Sequence, residues 1–133
     1  MLNILISVVL LNVSVLGFFF TFNLNKVENT FSGITATYIS DSVYLNNYTN
    51  KYYFDKDDIV QKTIYYFKEN LGDLEHNLTF WFREDELNTE VSDYPNIVQI
   101  EVAAKVLFDA KYVKNVRFYL DGRKVSKDWF AAL

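Results

Sequence analysis

Residues 2–22 read LNILISVVLLNVSVLGFFFTF and contain no charged side chain. As an α-helix, these 21 residues would extend about 30 Å, which is the thickness of the hydrocarbon core of a bilayer. Polar side chains interrupt the stretch mildly, and a neighbouring helix can accommodate such groups in a membrane. They are Asn3, Ser7, Asn12, Ser14 and Thr21. The stretch therefore predicts a single membrane-spanning helix over residues 1–23.

Two other interpretations of the same stretch are open. A cleaved secretion signal would need a basic residue before the apolar run and a small-residue cleavage site after it. No Lys or Arg precedes the run, and no Ala-x-Ala follows it. Buried strands would suit its Val, Ile and Phe content, but the run is too long for one strand and has no turn residue before Gly17. We therefore expect a retained helix.

A stripe of apolar residues continues beyond the uncharged stretch. From Phe20 the apolar positions follow at steps of 4, 3, 4, 3, 4 and 7, as on one face of a helix. They are Leu24, Val27, Phe31, Ile34, Tyr38 and Leu45. The stripe predicts an amphipathic stalk and linker over residues 24–50, with a pair of strands as the alternative because Thr and Tyr are frequent there. Together with Leu5, Val9 and Leu16 it defines a candidate membrane and assembly helix.

The segment after residue 54 has the start and stop signals of a helix. Asp55 is a predicted N-cap, and Gly72 follows the last apolar position as a C-terminal glycine does. Between them, the apolar face is predicted to hold Val60, Thr63, Ile64, Phe67 and Leu71. The preceding Asn-rich run, LNNYTN at residues 45–50, is predicted to be a loop.

The remaining chain alternates with a period of two, which predicts half-buried antiparallel strands. The inward positions are predicted to be Leu78, Phe80, Phe82, Val98, Ile100, Val102, Ala104, Val106, Phe108, Val116, Phe118 and Leu120. Residues 109–115 are predicted to connect two strands, and the final residues to form a cap or a short edge. The sequence thus predicts an α+β fold: residues 51–133 form a small domain with one helix on a three- to four-stranded antiparallel sheet.

The composition favours a role without catalysis. The net charge of −4 predicts no nucleic-acid partner, and the absence of cysteine removes thiolate chemistry and cysteine-based metal sites. His76 is the only histidine, and we interpret it as a turn residue. The acidic run from Asp55 to Asp58 lacks the glycine and glutamate of a calcium loop and is better explained by helix capping. No enzyme activity, cofactor or metal is predicted.

An acidic loop is the remaining candidate binding feature. It carries Glu84, Asp85, Glu86, Glu90 and Asp93 without a basic residue. Such a run could meet a basic partner, although a charge run is usually a solvated face.

The order of parts resembles that of the TadE-like minor pilins, or pseudopilins, and of related small membrane proteins of conjugative elements in low-GC bacteria. The segments that carry the resemblance are the uncharged N-terminal helix, LNKVENTFSGITATY, DIVQKTIYYFKENLG and the strands NLTFWFRE, NIVQIEVAAKVLF and VRFYLDG. It implies a non-enzymatic, membrane-anchored subunit of a pilus, secretion or conjugation apparatus. No glutamate precedes Glu28, so processing by a prepilin peptidase is not expected.

The resemblance and the polar composition after residue 44 lead us to expect an extracytoplasmic C-terminal domain. The expected partners are membrane lipid and other protein subunits, including further copies of the chain. Two alternatives are open. The helix and strands also resemble the cystatin-like or nuclear-transport-factor-like ectodomains of conjugation channels, and a cleaved chain would be a secreted binding protein. A pilin-like subunit needs a continuous helix after Phe20, whereas a channel ectodomain would tolerate a flexible linker there.

Overall fold

The computed structural model describes residues 2–84 and 93–128. The chain begins with a long helix, α1 (Leu2–Ser32), followed by a short helix, α2 (Ala36–Ser40). The α1 helix ends in a tight turn, in which the Gly33 amide donates to the Thr30 carbonyl at 3.1 Å. Thr35 then caps α2, because its side chain accepts a hydrogen bond from the Tyr38 amide.

The amphipathic extension of α1 is present, and it is shorter than the apolar stripe. Val27 and Phe31 lie on the helix and are fully buried in the domain. Ile34 is buried as well, but it follows the break, and Tyr38 belongs to α2. The stripe therefore packs on the chain's own domain beyond the point where α1 ends.

A β-hairpin occupies part of the segment that the sequence predicted as a loop. Strands β1 (Val43–Asn46) and β2 (Lys51–Phe54), which the sequence did not predict, pair antiparallel, and most of the predicted loop is the turn between them. The hairpin forms because residues 47–50 make a turn in which Asn50 adopts a φ of 58°, a left-handed conformation that asparagine tolerates. The Phe54 amide donates to the Pro95 carbonyl at 2.8 Å and fixes the hairpin to the chain that enters the sheet.

The predicted central helix is confirmed as α3 (Lys56–Leu71). The Asp55 carboxylate accepts from the Asp58 amide at 2.9 Å, and Gly72 ends the helix with a φ of 58°. One position of the predicted apolar face is wrong: Ile64 is 48% exposed. The buried positions are Ile59, Thr63, Phe67 and Leu71, because the domain contacts a row spaced by four residues.

Four antiparallel strands form the main sheet in chain order. They are β3 (His76–Arg83), β4 (Ile97–Leu107), β5 (Ala110–Asp121) and β6 (Lys124–Asp128). The predicted alternation is confirmed: the even-numbered positions of β4 from Val98 to Val106 are buried, as are Val116 and Phe118 of β5. The sheet thus has four strands, with β3 and β6 as its edges.

The β4–β5 connection differs from the prediction. The predicted linker 109–115 is mostly strand, because Leu107 already pairs with Ala110 across a two-residue turn. Phe108, predicted to face inward, lies in this turn and is 77% exposed. The final residues, 129–133, lie outside the described part of the chain.

The core lies on one face of the sheet, under α3 and the second half of α1. Phe31 of α1 and Phe67 of α3 make an edge-to-face contact with ring centroids 6.2 Å apart. Phe118 and the buried residues of β4 complete the cluster from the sheet side. The fold is therefore α+β, with a long apolar N-terminal helix whose second half is a structural element of the domain.

Candidate functional site

Residues 3–22 of α1, which we call its exposed half, extend out of the domain with their apolar surface uncovered, and residues 23–32 form its second half. Every large apolar side chain from Ile4 to Phe22 is exposed. An exposed apolar surface of this extent is unfavourable in water and typically marks a membrane or protein interface. Within the described residues, α1 is the one helix that is long and apolar enough to cross a membrane.

Polar groups in this exposed half are partly satisfied within the helix. The Ser7 hydroxyl donates to the Asn3 carbonyl at 2.9 Å, and the Ser14 hydroxyl donates to the Leu10 carbonyl at 3.0 Å. These bonds lower the free-energy cost of placing the hydroxyls in hydrocarbon. The exposed half is therefore compatible with a bilayer despite its serines.

Two faces of the exposed half are distinct. The predicted stripe contains Leu5, Val9, Leu16 and Phe20 in the exposed part and continues through half-buried Leu24 into the core. A second face, which we call the polar face, holds small and polar residues at steps of 4, 7, 3 and 4. It consists of Asn3, Ser7, Ser14, Gly17 and Thr21. The polar face lies roughly a third of a turn from the stripe.

The junction between the exposed and buried halves of α1 is held by polar contacts as well as by packing. The Asn23 amide donates to the Val106 carbonyl of β4 at 2.8 Å. One turn further on, the Tyr112 hydroxyl of β5 donates to Glu28 Oε1 at 2.8 Å. Burial raises the pKa of Tyr112 to about 12, and the hydrogen bond to Glu28 and its charge act in the same direction. These bonds attach the helix directly to two strands.

At the C-terminal end of α1, the contact with the domain depends on Gly33. The Tyr66 hydroxyl of α3 donates to the Thr30 carbonyl at 2.9 Å, and a Cβ on Gly33 would overlap that hydroxyl. Gly33 is therefore required by close packing. The contact fixes the end of α1 against α3.

The β4–β5 turn lies beside the exposed half of α1. Residues 105–108 line a shallow groove together with Leu16, Phe19 and Asn23 of the helix. Because Asn23 is bonded to Val106, the turn that follows Val106 reaches back along α1 toward Phe19. This end of the sheet is therefore the end nearest to any membrane that α1 crosses.

The opposite end of the sheet carries a polar cavity that the sequence did not indicate. Tyr52 and Tyr53 of β2 face Tyr94 and Asn96 across it. The Tyr53 and Tyr94 rings meet edge to face with centroids 5.0 Å apart, and the guanidinium of Arg123 lies 5.9 Å from the Tyr52 ring centroid. The aromatic residues of this hairpin are thus used mainly in contacts within the domain.

The predicted acidic loop is described only at its two ends. Glu84 follows β3, and Asp93 forms an exposed ion pair with Lys56 at 3.4 Å. Asp85, Glu86 and Glu90 lie outside the described residues. An exposed pair of this kind contributes little to stability. The role of the loop as a partner-binding surface stays a prediction.

His76 has a structural environment. Its Nδ1 lies 2.8 Å from the Leu74 carbonyl, and its ring lies 6.2 Å from the Phe67 ring. Across residues 2–84 and 93–128, no group of three or more His, Asp or Glu side chains is placed to hold a metal ion.

Sequence reasoning identified the apolar helix and missed the residues that position it. Asn23, Glu28 and Tyr112 make contacts over 83 and 84 positions of the chain, which no local pattern reveals. A single local signal was available, because Asn23 is the first residue after the uncharged stretch. No protein-family model, no curated protein and no solved structure matches this chain.

Proposed function

We propose that the chain is a non-enzymatic, single-pass membrane subunit of a bacterial surface, secretion or conjugation apparatus, and that α1 acts as both anchor and packing element. The observation that carries the proposal is the uncovered apolar half of α1, which continues without a break into the core of the domain. An anchor alone would need only the first of these two properties.

Helix continuity favours a pseudopilin-like subunit over a channel ectodomain. Asn23 and Glu28 bond to the sheet within two turns of the last exposed apolar residue, Phe22. A domain on a flexible linker would have no use for bonds at this position. The rigid connection supports a subunit whose domain must keep a fixed orientation relative to its packed helix.

Packing between subunits can use either face of the exposed half. The stripe through Leu5 and Val9 offers a continuous apolar surface. The polar face offers close approach at Ser14 and Gly17, since small residues let two membrane helices come together. We place the first contact on the polar face, because the stripe runs under the chain's own β4–β5 turn at Leu16.

Disulfide cross-linking tests this proposal directly, because the chain contains no cysteine. In membranes of the source cells, we expect a Ser14→Cys variant to form an oxidised dimer or a cross-link to a partner subunit. Val9→Cys, on the stripe, is the matched control and should cross-link less. If the Ser14→Cys, Val9→Cys and Leu5→Cys variants all remain without a cross-link after oxidation, the assembly role is contradicted. The role of α1 as an anchor would be unaffected by that result.

We also propose that the C-terminal domain is extracytoplasmic. Its polar, Tyr- and Asn-rich surface and the resemblance in the order of parts support this placement. A cysteine at Tyr48, in the exposed β1–β2 turn, should react with a membrane-impermeant maleimide in intact cells. Reaction only after the cells are lysed would place the domain in the cytoplasm.

Intact mass separates the anchor from the secreted alternative. Full-length protein in the membrane fraction is the expected result. A shortened chain in the medium would mean that the apolar stretch is a cleaved signal, and the assembly role would fall with it.

A further inference from the structure

The two-residue β4–β5 turn presents a large aromatic side chain to solvent. Phe108 is 77% exposed, while the residue before it, Leu107, is half-buried. An exposed phenyl ring at a hairpin tip contributes little to the free energy of folding, because hydrophobic stabilisation follows the apolar area removed from water. Single exposed apolar side chains are common on protein surfaces, so the backbone and the position of Phe108 are the informative features.

The backbone makes Phe108 more unusual. Its φ is 49°, in the left-handed region that bulky residues rarely adopt. The other described residues with positive φ are Asn50, Gly72 and Gly122, which are types that tolerate this conformation. Phe108 is therefore held in a conformation that glycine or asparagine would adopt more easily, and strain of this kind is associated with functional positions.

The position of the turn along α1 indicates what it meets. Asn23 is bonded to Val106, and the turn residues share a groove with Phe19 and Leu16, one to two helical turns before Asn23. The apolar run of residues 2–22 ends at Phe22, and the first charged residue is Lys26. If that stretch fills the hydrocarbon core, Phe108 lies at the level where acyl chains begin.

The charges around the turn restrict it to the membrane surface. Asp109 is exposed next to Phe108, and a carboxylate would not enter the hydrocarbon. Lys105 forms an ion pair with Glu75 at 3.3 Å, and Lys111 is exposed on the next strand. Interfacial segments combine apolar side chains such as Phe, which enter the acyl boundary, with charged groups that stay among the headgroups, and the turn offers both.

From this geometry we propose that the β4–β5 turn is a second membrane contact, in which Phe108 inserts at the interface and seats the domain on the bilayer that α1 crosses. The inference rests on the proposed anchor. Its occupant is the lipid surface, because the turn is continuous with the exposed apolar half of α1 and points along it. With two contacts, the domain would be fixed both in height and in tilt.

Spin-label accessibility in the full chain tests the proposal. The protein is reconstituted into phosphatidylcholine vesicles, with and without phosphatidylglycerol, with one nitroxide on an introduced cysteine. Ala110→Cys reports on the turn and keeps Phe108 in place. Thr49→Cys is the matched control, because it lies in an exposed turn beside an exposed aromatic residue, Tyr48, at the other end of the sheet. Leu10→Cys reports on the anchor.

We expect the Ala110 label to collide several-fold more with oxygen than with a water-soluble nickel chelate, relative to the Thr49 label. Phe108→Asn in the Ala110→Cys background should reverse this preference, since asparagine keeps the left-handed backbone and removes the ring. In both vesicle compositions the Ala110 label should be more exposed to lipid than the Thr49 label, because the apolar ring of Phe108 makes the contact and the charge of the headgroups does not.

The failing outcomes are separable. A lipid-exposed Leu10 label with a water-exposed Ala110 label would overturn the second contact and leave the anchor standing. A water-exposed Leu10 label would overturn the anchor and this inference together. An Ala110 label shielded from both reagents would show that protein, and not lipid, covers the turn, and would also overturn the proposal.

Discussion

Gly33 is important because it has no side chain. A methyl group there would overlap the Tyr66 hydroxyl, which is itself bonded to the Thr30 carbonyl. We expect Gly33→Ala to lower the free energy of unfolding by about 1–3 kcal/mol, the usual effect of forced overpacking. Chemical denaturation of the full chain in detergent measures this change.

The overlap also defines the control. Tyr66→Phe removes the hydroxyl that Gly33→Ala would strike, so the double variant should lose less stability than the sum of the two single variants. Additive losses would show that the Tyr66 ring moves aside freely and that the close contact is not the cause.

Three phenols make the folded domain sensitive to alkaline pH. Burial raises the pKa of Tyr112 to about 12 and also raises the pKa of Tyr38 and of Tyr66 above the ordinary 10.0. The unfolded chain therefore loses these protons at lower pH than the folded one. The stabilisation is complete below pH 10, and the free energy of unfolding should fall as the pH rises from 10 to about 12.

Lys127 acts in the opposite direction over a lower range. Burial lowers its pKa to about 8 from 10.5, with the nearby Lys114 adding to the effect, so its contribution to stability rises as the pH rises between those values.

The alkaline effect of the phenols is tested by measuring the free energy of unfolding of Tyr112→Phe and of the parent chain at each pH from 10 to 12. The free energy of unfolding of the variant should fall less steeply with pH. Equal slopes for the variant and the parent chain would mean that the pKa of Tyr112 is the same in the folded and the unfolded chain.

Individual residues were predictable where their role is local. Asp55 and Gly72 were identified from sequence because a cap and a C-terminal glycine act within one turn of the helix. Phe108 was assigned to the core because its parity matched the strand, and only the two-residue turn reveals that the strand has already ended. The Asn23–Val106 bond joins residues too distant in sequence for any periodic pattern to indicate it.

At the scale of elements, the exposed half of α1 carries the main prediction about location. Lysine at the centre of a membrane helix costs about 2.5–3.5 kcal/mol on insertion scales. We therefore expect Leu10→Lys, and Val9→Lys likewise, to move a large share of the protein out of the membrane fraction. Fractionation after alkaline carbonate extraction measures the shift.

Tyr48→Lys is the matched control for this experiment, since Tyr48 is 99% exposed at the far end of the domain. It should fractionate like the parent chain. Should Leu10→Lys also stay with the membranes, the exposed half of α1 would not be the anchor.

Periodicity identified the elements whose burial is one-sided. The strands β3, β4 and β5 alternate because one face meets the core, and residues 2–22 of α1 were recognised because they form a long apolar run without a charged side chain. The β1–β2 hairpin gave no such signal. Its residues are mostly half-buried or exposed and the run is rich in Asn and Tyr, so the segment resembled a loop.

For the whole molecule, the important property is that the exposed half of α1 and the core of the domain share one helix. A flexible Gly/Ser insertion between Phe22 and Asn23 would keep every core contact of Val27 and Phe31 and would keep the exposed half intact. We expect the domain to retain its unfolding midpoint and the protein to stay in the membrane. Cross-linking through Ser14→Cys should persist, whereas the Ala110 label should lose its lipid exposure.

A parallel insertion in the exposed β1–β2 turn, between Asn47 and Tyr48, is the control and should leave that label unchanged. If the insertion after Phe22 left the label in lipid as well, the turn would reach the bilayer without help from the helix, and the rigid junction would have no mechanical purpose.

If α1 spans a bilayer as proposed, the direction of β4 sets how far the protein reaches from it. The strand runs from Ile97, beside the β1–β2 hairpin, to Leu107, beside the exposed helix. Its 11 residues cover about 35 Å at the rise of a β-strand. Because α1 is unbroken where it would leave the membrane, this strand acts as a spacer of fixed length. The tyrosines of the hairpin would then lie at the same distance from the membrane surface in every copy of the chain. Neighbouring copies would then present their outer ends as a level layer.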